Sequence, residues 1–148
     1  MDRINDTNTL DKATAYVILR MGRLLRMDLS RTLQQAGVEI TPEQWFILFR
    51  LYEQDGLAQS ELADKLLHDH PNITRLVDAL EASALIRRDN DPEDRRRYLI
   101  RLTDSGRALV EKLFPVVIER RQQLFNGLDE QAIEQLHATL KTIEQNLL

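Results

Sequence analysis

Between Leu10 and Ala36 apolar residues return at helical spacing, as Ala13, Val17, Met21 and Leu24 and as Ile18, Met21, Leu25, Leu29 and Leu33. The two stripes merge into one broad apolar face on a long first helix, which Gly37 ends. Thr41-Pro42-Glu43-Gln44 then supplies an N-cap threonine, a proline suited to the first helical position and a glutamine that completes a capping box. The second helix begins there. Its Trp45, Phe46, Leu48, Phe49 and Tyr52 predict a central core element.

Asp55-Gly56 is a turn signal, and Ser60 to Leu67 reads as a short helix with Leu62, Ala63, Leu66 and Leu67 inward. His68-Asp69-His70-Pro71 interrupts it. The next helix carries Ile73, Leu76, Val77, Leu80 and Ala84 on one face and turns Asn72, Thr74, Arg75 and Asp78 to solvent. Two short helices with a tight connection outline a helix-turn-helix. Leu85 to Arg88 and Arg97 to Leu102 read as strands, the second with Tyr98, Ile100 and Leu102 on one face and Arg97, Leu99 and Arg101 on the other. The intervening Asp89-Asn90-Asp91-Pro92-Glu93-Asp94 is rich in turn residues, so the pair forms a β-hairpin, the wing of a winged helix-turn-helix.

Thr103 can cap a long fifth helix, whose Leu109, Leu113, Val116, Val117 and Leu124 continue past a bend at Pro115 until Asn126-Gly127 ends it. Asp129 caps a last helix in which Ile133, Leu136, Leu140, Ile143 and Leu147 alternate steps of three and four. The expected fold is therefore mostly α with a small β-hairpin wing, a winged helix-turn-helix with long N- and C-terminal dimerisation helices. Residues 37–103 would form the DNA-binding domain, and 1–36 with 104–148 the helical dimerisation region. Those end helices carry more apolar surface than a winged unit of about fifty residues could cover, and a second subunit is expected to cover it.

The 148 residues suit one domain of ordinary size, and 43% hydrophobic with 30% charged residues suits a folded chain rather than a disordered or membrane one. No apolar stretch approaches the ~18 residues of a spanning helix, and the polar start has no signal-peptide core, so a cytoplasmic protein without membrane partners is expected. Without cysteine, disulfides, thiolate nucleophiles and thiol redox sensing are excluded. The histidines His68, His70 and His137 lack the spacing of a helical zinc motif, and no metal or cofactor is expected. Nor is an enzyme: there is no glycine-rich phosphate loop, no nucleophile elbow and no histidine with an acid and serine partner.

Charge matters by where it lies. The net charge is −4, yet Leu85 to Arg101 holds six arginines (Arg87, Arg88, Arg95, Arg96, Arg97, Arg101) against Asp89, Asp91, Glu93 and Asp94. That is a local +2 on an acidic chain, a localised site rather than a coating of positive charge.

Asn72 to Glu81, followed by Leu85-Ile86-Arg87-Arg88, by Asp91-Pro92-Glu93-Asp94-Arg95-Arg96-Arg97 and by Leu102-Thr103-Asp104-Ser105-Gly106, resembles the MarR family of bacterial transcription regulators. Thr41 to Trp45 and Gln59-Ser60-Glu61-Leu62-Ala63 are similar to that family's pattern as well. The resemblance implies a homodimer with interlocked end helices and two winged domains on adjacent turns of double-stranded DNA, at an inverted-repeat operator, as a repressor. It adds Gln59 and Ser60 to the DNA-facing residues Asn72, Thr74 and Arg75, and it implies an Asp94–Arg96 pair at the wing tip, the carboxylate bracing the guanidinium on one side of an extended segment.

Chemistry suits these roles. Arg75 can make paired hydrogen bonds to a purine edge and is the preferred base reader, Arg96 can enter a narrow minor groove, and Arg95 and Arg97 can meet phosphates. The alternative is a winged-helix module for protein contacts, in which Asn72, Arg75 and Arg96 bind an acidic partner. The resemblance also implies a small aromatic or phenolic effector in a cleft between the dimer helices and the winged domain. Its pocket residues do not carry over one by one, although Arg20 or Arg23 could face an anionic group.

Overall fold

The computed structural model describes residues 10–66 and 70–148. A single 3-10 turn, Leu10–Lys12, precedes α1 (Thr14–Gln35), and α2 (Pro42–Glu53), β1 (Leu57–Ala58), α3 (Gln59–Leu66) and α4 (His70–Ala82) follow. Then come β2 (Ile86–Asn90), β3 (Tyr98–Leu102), α5 (Asp104–Leu124) and α6 (Glu130–Leu147). The chain forms two compact units divided after Val117, within α5.

In the first unit the capping box forms as the sequence predicts. The Gln44 backbone N–H donates to Thr41 Oγ1 at 3.2 Å, and Gln44 Oε1 accepts from the Thr41 backbone N–H at 2.9 Å. Gly37 leaves α1 at φ +80°, the left-handed conformation that a Cβ disfavours. The core gathers Leu33 of α1, Trp45, Ile47, Leu48 and Leu51 of α2, Leu62 of α3, Ile73, Val77 and Leu80 of α4, Ile86 and Ile100 of the sheet, and Val110 and Leu113 of α5.

Two expectations for this core need correcting. Phe46 and Tyr52 are exposed, and Ile47 and Leu51 take the buried positions of α2, because a stripe 3.6 residues in period admits only one side of so apolar a helix. Ala84 lies past the end of α4 and is exposed, at φ +59°, where it turns the chain into the sheet.

The sheet has three antiparallel strands in the order β1-β3-β2, one more than the hairpin expected. β1 is only Leu57–Ala58, too short to show a period, and it pairs Leu57 with Ile100 and Ala58 with Leu99. Asp89 and Asn90, expected in the turn, extend β2 by pairing with Leu99 and Tyr98. Asp55 Oδ1 accepts from the Leu102 backbone N–H at 2.9 Å, and the Gly56 N–H donates to the Ile100 carbonyl at 3.1 Å, which fasten the α2–β1 turn to β3.

Below the wing, the Thr103 backbone N–H donates to the Leu85 carbonyl at 3.1 Å. Thr103 Oγ1 donates to the Ala84 carbonyl at 2.7 Å and accepts from the Gly106 N–H at 3.0 Å, capping α5. A Cβ on Gly106 would stand 2.0 Å from the Leu85 carbonyl oxygen, so only glycine lets α5 start this close to the sheet.

Among the described residues one side of α1 is left exposed, with Val17, Ile18, Met21, Leu24 and Leu25 all open to solvent. In the second unit α6 starts at Asp129, whose Oδ1 accepts from the Ala132 N–H at 2.8 Å. None of its residues is buried, and Leu136 and Leu140 are each 41% exposed. Leu67, His68 and Asp69 lie outside the described residues, so the inward position expected of Leu67 and the histidine-bearing break are not described.

Candidate nucleic-acid interface

α3 and α4 form the helix-turn-helix, joined by Gln59 Nε2, which donates to Thr74 Oγ1 at 2.7 Å. Both side chains are partly buried. Next to Thr74, Arg75 Nη2 donates to Asn72 Oδ1 one turn back at 2.8 Å, so the amide fixes the exposed guanidinium on the helix surface. Ser60 is exposed at the start of α3. The residues expected to face DNA therefore divide into an outer pair, Asn72 with Arg75, and an inner pair, Gln59 with Thr74, that also joins the helices.

The wing tip departs from the expected geometry. Residues 94–97 form a tight turn rather than an extended segment: Asp94 Oδ1 accepts from the Arg96 backbone N–H at 2.9 Å, and the Arg97 N–H donates to the Asp94 carbonyl at 3.1 Å. The carboxylate thus braces the backbone that carries Arg96 rather than its guanidinium, since an Asp side chain reaches a backbone N–H two residues on at little cost. Among the described residues Arg95 and Arg96 form no ion pair, and both are exposed.

The other four arginines of the segment are held by acids. Arg97 pairs with Glu61 of α3 at 2.8 Å and lies 3.8 Å from Asp91, which ties the wing to the first helix of the motif. Arg87 and Arg101 both lie 3.2 Å from Asp89. Arg88 Nη1 donates to Glu81 Oε1 at 2.7 Å, its Nη2 to Asp78, and its backbone N–H to Glu81 Oε2 at 3.0 Å. Burial pulls against the charge on Arg88, yet the hydrogen bonds it donates to Asp78 and Glu81 outweigh it and hold the guanidinium above its ordinary pKa. Sequence reasoning passes over Glu61, Asp78 and Glu81 as partners, because only the tertiary fold brings Glu61 beside Arg97, 36 positions away.

A cleft of about 530 Å³ opens where α1 meets α2, lined by Arg26, Ser30, Gln34, Val38, Ile40, Thr41 and Pro42 among others. Arg26 grips Glu43 with two bonds, Nε to Oε1 at 2.6 Å and Nη2 to Oε2 at 2.9 Å. That hydrogen bond is the main cause holding the Glu43 carboxyl below its ordinary pKa. Arg20 and Arg23 are exposed on α1 and do not line this cleft. Among the described residues no group of three His, Asp or Glu side chains could hold a metal ion, and no helix is long and apolar enough to cross a membrane.

The model of the MarR family matches residues 40–98, from the end of the α1–α2 turn through the wing to the start of β3. The HTH-type transcriptional regulator YkoM of Bacillus subtilis is 30% identical over 100 residues, covering 68% of this chain and 65% of that protein. The solved structure of S. aureus MepR in complex with DNA is similar over 90% of this chain and 97% of MepR, at 34% identity and a TM-score of 0.82. The chain belongs to the MarR family. Beyond the domain that the family model matches, the likeness extends to most of the chain in CouR of Rhodococcus jostii RHA1, solved with p-coumaroyl-CoA. That structure covers 93% of this MarR-family chain and 95% of CouR, at 25% identity and a TM-score of 0.80.

Proposed function

We propose that this MarR-family chain is a sequence-specific DNA-binding transcription regulator, a cytoplasmic repressor without enzymatic activity that binds an inverted-repeat operator as a homodimer. One observation carries the reading. Of the six wing-segment arginines, Arg95 and Arg96 alone are left without an acidic partner among the described residues, at the exposed tip of a wing whose fold matches that of a DNA-bound relative. Arg96 enters the minor groove, Arg95 meets phosphate, and Arg75 with Asn72 reads base edges in the major groove. Gln59, Ser60 and Thr74 line the same groove, and Asp94 sets the turn that presents Arg96. Arg97, held by Glu61, meets phosphate only at the wing's flank.

Residues 37–103 read the DNA, and residues 1–36 with 104–148 join the subunits through the exposed apolar faces of α1 and α6. A small aromatic or phenolic ligand releases the DNA by favouring a dimer whose reading helices are wrongly spaced for adjacent grooves. Its binding by CouR of a coumaroyl thioester supports that chemical class. A gel shift of the purified chain on the duplex upstream of its own coding sequence, over a salt series, tests the whole. Specific retardation that weakens steeply with salt is expected, and equal binding to any duplex refutes operator recognition.

A further inference from the structure

The reading helix α4 carries an unfavourable charge for its task. It has one arginine, Arg75, against the two acids Asp78 and Glu81. Asp78 stands three positions after Arg75 and four after Thr74, hence on the same side of the helix, and its side chain is 60% exposed. A carboxylate there would repel the phosphates that Arg75 must approach. The charge that offsets it comes from another element.

Arg88 of β2 reaches across to both acids and is less exposed than Arg26, Arg50, Arg87, Arg97 and Arg101, at 20% of its side chain against 35–55% for those five. Glu81 meets the Arg88 guanidinium with one oxygen and its backbone N–H with the other, so the contact fixes strand as well as side chain. A planar guanidinium can serve two carboxylates at once in a way that a lysine ammonium does not. We propose that Arg88 is a positioning residue of the DNA interface, which locks α4 to the wing and cancels the two carboxylates beside the base-reading face without itself touching DNA. The proposal rests on the DNA-binding reading above, and it makes the charge of the wing segment serve two ends: Arg95 and Arg96 for the nucleic acid, Arg88 for the helix that reads it.

The test is a mutant cycle on the full chain, with operator affinity read by fluorescence anisotropy. Arg88→Gln should lower affinity by on the order of tenfold, and adding Asp78→Asn with Glu81→Gln to that background should restore about threefold or more of it, since the acids no longer need an arginine. Arg88→Lys should fall between wild type and Arg88→Gln. Equal losses from Arg88→Gln with and without the two acids would make Arg88 a direct phosphate contact and overturn the proposal. A lowered melting temperature with unchanged operator affinity would overturn it in favour of a purely structural pair. If Arg88→Gln does not fold by circular dichroism, Arg88→Lys alone and the Asp78→Asn/Glu81→Gln chain decide: the first should bind operator less tightly than wild type and the second at least as tightly, and the reverse order refutes the role. Failure of the wild-type chain to bind any duplex would instead refute the DNA-binding reading itself.

Discussion

Gln59 Nε2 donates to Thr74 Oγ1 at 2.7 Å, a bond that joins the first and second helices of the motif. Two side chains expected to face DNA thereby also hold the reading helix in place. Thr74→Val keeps the outline and a methyl group for thymine but removes the acceptor. It should cost about 1 kcal/mol in urea unfolding, because the partly buried Gln59 amide loses its partner. Operator binding should weaken with it. Unchanged stability would show that the bond does not form in solution.

Arg96→Ala and Arg75→Ala should separate backbone from base recognition. The first should weaken binding to all duplexes sharply and leave circular dichroism unchanged, since an exposed wing-tip side chain supports no core. The second should cost about 1–3 kcal/mol on the operator and much less on random DNA. Equal losses on both duplexes for Arg75→Ala would remove its role as a base reader.

The exposed apolar residues of α1 and α6 predict a mass of two 17.3 kDa chains at micromolar concentration by sedimentation equilibrium. Leu24→Asp on α1 or Leu140→Asp on α6 should shift the chain toward monomer and abolish binding to paired half-sites roughly 10 base pairs apart. A wild-type monomer at these concentrations contradicts the dimer.

Acid should weaken the join between α1 and α2. Arg26 holds the Glu43 carboxyl below its ordinary pKa, so the folded chain releases that proton more readily than the unfolded one. The pair's contribution is full above the unfolded glutamate pKa and is lost as pH falls through the lower, folded value. The stability difference between wild type and Glu43→Gln should accordingly be present at neutral pH and shrink as the solution is acidified, in denaturant titrations at each pH. A difference that persists in strong acid would assign the effect to packing. Arg26 is half exposed, so the effect should be modest and smaller in high salt.

Gly106→Ala should be among the most damaging single changes. The new Cβ would meet backbone, the Leu85 carbonyl oxygen at 2.0 Å, and the helix start must move, at about 1–3 kcal/mol or more. A melting temperature within a degree of wild type would show that α5 can shift freely.

Legibility in the sequence followed the range of the forces. The capping box at Thr41 and Gln44, the Asp129 cap and the Gly37 break are local, and the structure forms each where the sequence predicts it. The choice of Ile47 and Leu51 over Phe46 and Tyr52 for the core was not legible, because apolar side chains spread over most of α2 outside Glu43, Arg50 and Glu53, and neighbouring elements decide which of them are covered. β1 is two residues long and exists through its pairing with β3, so no local pattern marks it. At the site, the exposed positions of Arg75 and Arg96 could be read from spacing and resemblance, whereas which arginines of the wing segment pair with acids could not. Glu61 with Arg97 and Asp78 with Arg88 are pairs that only the folded chain assembles.

The bonds from Thr103 to Leu85 and Ala84 close the chain on itself just beneath the wing, and the strands zip above them. The stretch from Asp91 to Arg97 is therefore a loop whose ends are held together twice, by the paired strands beneath it and by the Asp91 N–H, which donates to the Arg97 carbonyl at 3.1 Å. Its closure entropy grows only slowly with length, by roughly 0.6 kcal/mol for each doubling. Reach along the DNA can thus be altered by adding residues near Pro92 at small cost to folding, so the wing is a part whose span can be tuned while the body that carries it stays the same.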